Sequence, residues 1–377
     1  MRIAIRLVAA LMVVAVGQSQ AAVLPQDRSD IMYHSYSGDG VSIDGPSILL
    51  RKQVGNRVSL SANYYVDTVS GASIDVRATA SPYVEERKEA TLGGDFLHNK
   101  TLVSVSFTNS SENDFEANSA YVGISQDFFG DLTNVSLNYA KGWDEVGRRG
   151  DESFSEEANR HKYGLGITQI ITKNMIIGLS AEHISDQGYL NNPYRSVRFI
   201  DDSAARGFSY ATEVYPDTRT SNAVSLNANY YLAHRAAIYA DARWYNDTWG
   251  ITATNGKVGY IHTIGDDWII DVYARFYSQD KADFYQDLFA RPDEFNFMAR
   301  DKEMSTYTNV TAGVSVAYEW QFSASALIKK SSIQFEYDYM QFDYDDFRDA
   351  TAEAPVGEEP LFGFSANVIK VYASIWY

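Results

Sequence analysis

Charged side chains of both signs recur in segments whose alternate positions are apolar, and these side chains could act on a solute. Asp241 and Arg243 lie two positions apart, and Asp271 and Arg275 lie four apart, so each couple falls on one face of an extended chain. Carboxylate and cationic groups on one face can form ion pairs and line a wet passage. We predict that eight residues are lumen-lining in this sense: Glu182, Asp241, Arg243, Asp271, Arg275, Glu336, Asp338 and Lys370.

Other kinds of chemistry have little support in the sequence. It contains no Gly-x-Ser-x-Gly elbow and no His-Glu-x-x-His zinc motif, and its 6 histidines are scattered without ligand spacing. The absence of cysteine excludes disulfides and thiolate metal sites. A net charge of −17 argues against nucleic acid as a partner. We expect no enzymatic activity and no metal site.

The elements that must position the charged residues are strands. Val58, Leu60, Ala62 and Tyr64 occupy every second position, and comparable segments recur to the end of the sequence. A period of two indicates a strand with one apolar and one mixed face. The charged set is out of phase with the apolar sets, and a Lys or Arg facing lipid at the bilayer centre costs about 2–4 kcal/mol. The charges are therefore expected inside.

Two lengths of connection alternate between these segments. The short ones are at 55–56, 98–99, 130–131, 173–174, 233–235 and 265–267. The long ones cover roughly 69–86, 110–117, 143–161, 186–220, 280–304 and 344–362. Short periplasmic turns and long extracellular loops are typical of a transmembrane antiparallel up-and-down β-barrel. An all-β fold of this kind is the predicted fold class.

The strand count follows from the same alternation. Counting back from the last segment gives fifteen strands, and Ser29 to Tyr36 supplies the partner needed for an even number. We predict about 16 strands, with 14 as the alternative. The 27 Tyr, 19 Phe and 6 Trp fit the aromatic girdles of such barrels.

The first residues have the composition of a targeting segment. Arg2 and Arg6 precede an apolar stretch from Leu7 to Val16, and Ser19-Gln20-Ala21 fits a small-x-small cleavage site. We predict a signal peptide at 1–21 and a single barrel domain at 22–377.

The final segment resembles the C-terminal signal of Gram-negative outer-membrane barrels. It ends on Tyr377, with Ile375 on the same apolar face. The resemblance implies insertion into the outer membrane of a Gram-negative bacterium by the barrel-insertion machinery. Outer-membrane lipid and lipopolysaccharide would then be the other partners.

Several further blocks resemble a bacterial family of predicted outer-membrane barrels that is classed as a domain of unknown function. The blocks lie at 44–47, 61–67, 72–75, 80–83, 190–198, 299–303 and 341–348. The resemblance covers nearly the whole chain after residue 21 and implies the same fold. It brings no catalytic residues with it.

A shorter resemblance concerns a cofactor. The stretch from Asp67 to Ser73 is similar to the Asp-x-x-Ser-Gly-Ala-Ser/Thr site at which a transferase links FMN to a hydroxyl. In that pattern Ser73 would carry the flavin, and Gly71 would allow close backbone approach. The resemblance implies redox partners in the envelope.

These observations leave three hypotheses for function. The first is a porin-like pore or conduit for small solutes. The second is a barrel involved in envelope redox chemistry with covalent FMN at Ser73. The third is a surface binding protein that acts through acidic extracellular loops.

Overall fold

The computed structural model describes residues 23–71, 83–323 and 326–377. In these residues the chain forms a closed barrel of 16 antiparallel strands and a separate two-stranded sheet. The strands are β1 (Arg28–Gly38), β2 (Val41–Val54), β3 (Val58–Gly71), β4 (Tyr83–His98), β5 (Thr101–Glu112), β6 (Phe115–Phe128), β7 (Thr133–Arg148), β8 (Asp151–Thr172), β9 (Met175–Gly188), β10 (Ser196–Ile200), β11 (Phe208–Thr212), β12 (Thr218–Leu232), β13 (Ala236–Asp247), β14 (Thr252–Ile264), β15 (Trp268–Gln279), β16 (Tyr307–Gln321), β17 (Lys330–Arg348) and β18 (Leu361–Trp376).

The topology is up-and-down with one interruption. Successive strands pair with each other, except that β9 pairs with β12 because β10 and β11 form a ribbon within the connection between them. β1 closes the cylinder on β18, with Ile31 opposite Ala373. The predicted fold and the 16 strands are confirmed, including the first strand near Ser29 to Tyr36. The alternative of 14 strands is wrong.

The barrel has an apolar outer face. Side chains of the alternating apolar sets, such as Leu92, Leu137 and Val258, expose half or more of their surface and form a continuous belt. A strand presents successive side chains to opposite faces, so the polar set points inward. Among the described residues, no helix is long and apolar enough to cross a membrane.

The six predicted short turns all lie at the same end of the barrel. Gly130 and Asp131 both have a φ of 69°, between β6 and β7. With Phe129, which also has a positive φ, they belong to a four-residue loop at 129–132. The six connections hold neighbouring strands in register at this end of the barrel.

Two of the predicted long loops are wrong. β5 and β6 are separated only by residues 113–114, and β7 and β8 only by residues 149–150. The polar residues at 110–117 and 143–161 continue the sheet, and β8 reaches 22 residues where about 10 span a bilayer. Outside the bilayer both faces of a strand meet water, so a strand needs no apolar face there. By continuing the sheet, the chain still pairs its backbone N–H and C=O groups.

Candidate functional site

All eight predicted lining residues lie on one face of the sheet. In register, Asp241 faces Lys257, Lys257 faces Arg275, and Glu336 faces Lys370. This face is the inner one, because the long connections pack against it at Tyr307 and Tyr344.

Some of the inner charges form ion pairs. Glu182 lies between Lys162 at 2.6 Å and Arg243 at 2.7 Å. Lys370 lies 3.3 Å from Glu336. Because both signs are present, this wall is polar and locally neutralised.

Two further carboxylates accept hydrogen bonds from tyrosines that lie flat against the wall. Tyr239 donates to Asp271 at 3.1 Å, and Tyr273 donates to Asp338 at 2.5 Å. Each ring crosses a strand at a glycine. A Cβ on Gly259 would stand 2.2 Å from the Tyr239 ring, and Gly313 leaves room for Tyr273 in the same way. The glycines therefore let the tyrosines reach carboxylates two strands away.

Lys257 is an inner cation that the sequence analysis did not single out. Its Nζ lies 3.9 Å from the centroid of the Tyr273 ring and 5.2 Å from that of Tyr239. Its position out of phase with Val258 was the available signal. Arg275, its neighbour in register, donates to Asn309 Oδ1 at 3.1 Å.

The sequence analysis also missed a buried cluster on β1, β3 and β4. His34 Nε2 lies 2.7 Å from Asp67 Oδ1 and 3.1 Å from the Tyr65 hydroxyl, and the His34 and Tyr65 rings stack at 5.1 Å. Arg87 approaches Asp67 at 4.0 Å and binds Glu89 at 2.7 Å. A signal was present in sequence, since Tyr65 and Asp67 are out of phase with the apolar set of β3.

Three long connections fold together over the outer mouth of the barrel. We name residues 189–217, 280–306 and 349–360 the cap. Backbone bridges join Val214 to Met298 and Phe199 to Phe289, so the first two connections hydrogen-bond directly. The cap shares an aromatic core with the adjoining strands: Tyr215, Trp249, Ile251, Ala282, Tyr285, Ala299, Met304, Tyr307, Tyr344 and Phe347.

Buried ion pairs hold the three connections to each other. The guanidinium of Arg198 is fully buried and binds Glu359 at 2.6 Å and the carboxylate of Asp287. Arg300 binds the same Asp287 at 2.8 Å. Arg198 therefore joins all three parts of the cap.

The cap is also tied to the barrel at several points. Lys302 binds Asp39 in the connection between β1 and β2. Gln279 Nε2 donates to the carbonyl oxygens of Glu303 at 2.9 Å and Ser305 at 2.8 Å. The hydroxyl of Tyr194 binds Asp114 between β5 and β6. These contacts place the cap across the mouth.

Two carboxyls in the cap, Glu213 and Glu303, have a pKa raised to about 7. Burial and the nearby Asp301 carboxylate raise the pKa of Glu213 to about 7. Glu213 accepts hydrogen bonds from the Tyr215 hydroxyl at 2.6 Å and from the backbone N–H of Arg300 at 2.7 Å. Burial alone would raise the pKa of Asp301, but Arg195, the backbone N–H of Glu303 and Lys302 act together to keep that pKa low.

Three carboxylates at the outer rim are close enough to share a cation. Oxygen atoms of Glu85, Glu112 and Asp114 lie within 4.8 Å of one another. Asp114 is also the partner of Tyr194, so the same group helps to anchor the cap.

Of the remaining predicted residues, the structure describes Ile375 and Tyr377. Ser73 and the signal segment lie outside the described residues. Ile375 is on the outer apolar face with 38% of its surface exposed. The Tyr377 hydroxyl donates to the carbonyl of Arg51 at 3.0 Å, and its ring lies 4.9 Å from the Lys52 ammonium.

A closed barrel with an apolar outer belt, a polar inner wall and long loops at one end defines the outer-membrane β-barrel class. Residues 143–357, more than half of the chain, match the family described as "Protein of unknown function (DUF3570)", and the chain belongs to that family. No curated protein matches the chain.

Solved outer-membrane barrels have a similar fold. A structure titled bacterial polysaccharide outer membrane secretin is 7% identical, with a TM-score of 0.52 over 94% of this chain and 100% of that one. A loop L8 deletion mutant of OmpT from Vibrio cholerae is 10% identical, with a TM-score of 0.43 over 93% and 98%. A FadL homologue from Pseudomonas aeruginosa is 11% identical, with a TM-score of 0.42 over 94% and 91%. The first of these supports the fold, and at such identities fold is all that is shared.

Proposed function

We propose that this protein is a non-enzymatic conduit for small polar solutes in the outer membrane, held closed by the cap. The observation that carries the proposal is the inner wall, where ion pairs such as Glu182–Arg243 and Glu336–Lys370 face a lumen. A barrel of 16 strands is wide enough to enclose an aqueous channel. Its partners would be outer-membrane lipid, lipopolysaccharide and the insertion machinery.

The cap gives the conduit two states. Its aromatic core and the Arg198 ion pairs would close the mouth, and separation of its three connections would open it. Loop rearrangements of this kind occur in microseconds to seconds. The conduit would therefore show brief openings in place of a steady current.

The test is single-channel recording from the purified full chain in planar bilayers. The wild-type protein should show rare openings, and Arg198→Ala should increase the open fraction because it removes the charge that joins the cap. Circular dichroism and a heat-dependent shift in gel mobility would verify that both proteins are folded. If neither protein conducts although both are folded, the conduit is wrong.

A further inference from the structure

We propose that Lys257 and Arg275 form a subsite for small organic carboxylates on the inner wall. The inference rests on the proposed conduit and names the class of solute that it would carry. Lys257 lies on β14 and Arg275 on β15, directly opposite each other in the pairing of the two strands.

The first argument is a contrast with the other inner cations. Nine of them lie within 4.0 Å of a carboxylate oxygen: Arg28, Arg51, Arg87, Arg160, Lys162, Arg219, Arg243, Lys330 and Lys370. In the part of the chain that the structure describes, Lys257 and Arg275 have no carboxylate within that distance. They are thus two adjacent cations without the direct carboxylate contact that those neighbours have.

The second argument is the geometry of the pair. Side chains directly opposite on antiparallel strands have Cβ atoms about 4.5–5.5 Å apart, and like charges in that arrangement repel. An anion between the two head groups would remove the repulsion. A carboxylate suits the site, because the planar guanidinium of Arg275 can donate two parallel hydrogen bonds and Lys257 supplies a point charge.

The surroundings preorganise both head groups. The Lys257 ammonium rests 3.9 Å from the Tyr273 ring, and one Arg275 nitrogen donates to Asn309. Asp241 stands on the other side of Lys257 in register, and Asp271 accepts from Tyr239 nearby. These carboxylates weaken anion binding without abolishing it, which suits a conduit that must also release its solute.

The first experiment measures selectivity. Reversal potentials in a potassium acetate gradient should show preference for acetate over potassium in the wild-type protein. Lys257→Gln combined with Arg275→Gln should lower the acetate to potassium permeability ratio by about fivefold, the factor for about 1 kcal/mol. Lys100→Gln combined with Lys173→Gln is the matched control, since it removes two cations at the exposed short turns, away from the inner wall. An equal change in the control would overturn the subsite.

The second experiment separates the subsite from the conduit. Binding of ¹³C-labelled acetate to the detergent-solubilised full chain should broaden its NMR line, and the double variant should lose this effect. Arg275→Lys keeps the charge without the planar fork and should restore only part of it. Acetate binding without any conductance would keep the subsite and reject the conduit. Conductance without acetate binding or acetate preference would keep the conduit and reject the subsite.

Discussion

Buried charges in the cap are the residues on which closure depends most. Arg198 and Glu359 are both about 1% exposed or less, and each satisfies the other. Removing one partner of a buried ion pair leaves an uncompensated charge and typically costs about 3–5 kcal/mol, whereas replacing both by apolar residues is often neutral. The single substitution is therefore expected to destabilise the cap, and the double substitution is expected to leave its stability nearly unchanged.

The first prediction concerns this pair. Arg198→Ala should speed hydrogen exchange at residues 189–217, because Glu359 and Asp287 lose the charge between them. Arg198→Met combined with Glu359→Leu should exchange nearly as slowly as the wild-type protein. Arg291→Ala, at an exposed position of another cap connection, is the control. Equal protection in all four proteins would show that the ion pair does not hold the cap.

The second prediction concerns pH. Burial and the Asp301 carboxylate raise the pKa of Glu213 to about 7 in the folded cap. In the opened cap this carboxyl has the lower pKa usual for glutamate, so opening the cap releases a proton at pH values between the two. The cap should lose stability as pH rises through that window and should be more protected at pH 5.5 than at pH 8. Glu359 does not add to this trend, because its pKa is lowered and it stays ionised in both states over the window.

Hydrogen exchange corrected for its intrinsic pH dependence would measure the effect. Glu213→Gln should reduce the difference between the two pH values, because it fixes a neutral group beside Tyr215 and Arg300. Glu303, whose pKa is also raised to about 7 by burial and Asp301, should account for the rest. A cap that is more protected at high pH would contradict the assignment of the proton to Glu213.

Residue types and spacing group the eight predicted lining residues on one face of the sheet, but they do not identify the partners of those residues. Asp241 and Arg275 could be assigned to the inner face because they are out of phase with apolar neighbours. Their neighbours Lys257 and Asn309 come from adjacent strands, and the register of those strands depends on turn geometry that alternation does not specify. His34 was missed for the same reason, because Asp67 is its neighbour only after β1, β2 and β3 pair.

At the scale of elements, the hairpin of β7 and β8 extends beyond what a bilayer requires. Residues 143–161 were predicted as a loop because charges occur on both faces, which alternation of apolar residues does not recognise as a strand. The long connections were predicted as solvated loops, yet Arg198, Glu213 and Asp301 in them are buried. Burial in this case follows from contacts between connections distant in sequence.

The third prediction tests whether the hairpin is separable from the barrel. Replacing residues 147–155 by Asn-Gly would join Val146 and Glu156, which face each other in the ladder. Assembly and heat-dependent gel mobility should be unchanged, because the removed residues lie past the spanning part of the strands. A variant that fails to assemble would mean that this tip contributes to folding.

At the scale of the whole molecule, a residue belongs to the outer belt or to the inner wall according to whether it occupies an odd or an even position along its strand. Leu226 exposes 49% of its surface on the outer face, and Asn227 faces Asp241 on the inner one. A cylinder with these two faces was predictable because lipid leaves backbone amides few other solutions than a closed sheet. The closing pair β1 and β18 followed from the requirement of an even count.

The fourth prediction uses this parity. Leu226→Arg should lower the free energy of unfolding from lipid vesicles by up to about 2–4 kcal/mol, decreasing toward the interface. Asn227→Arg should cost much less, because its side chain enters the lumen opposite Asp241. Urea titration followed by tryptophan fluorescence would measure both. Equal losses would contradict the inner and outer assignment.

The contact between Lys302 and Asp39 joins positions 263 residues apart, and it has a consequence for the order of assembly. Asp39 is held by the hairpin of the first two strands, and that hairpin reaches the cap only when the first strand has met the last. Closure of the mouth should thus be a late event that reports a finished cylinder. Since the chain has no cysteine, Asp39→Cys with Lys302→Cys would give two thiols that an added bismaleimide reagent should crosslink in completed barrels and leave unlinked in stalled ones.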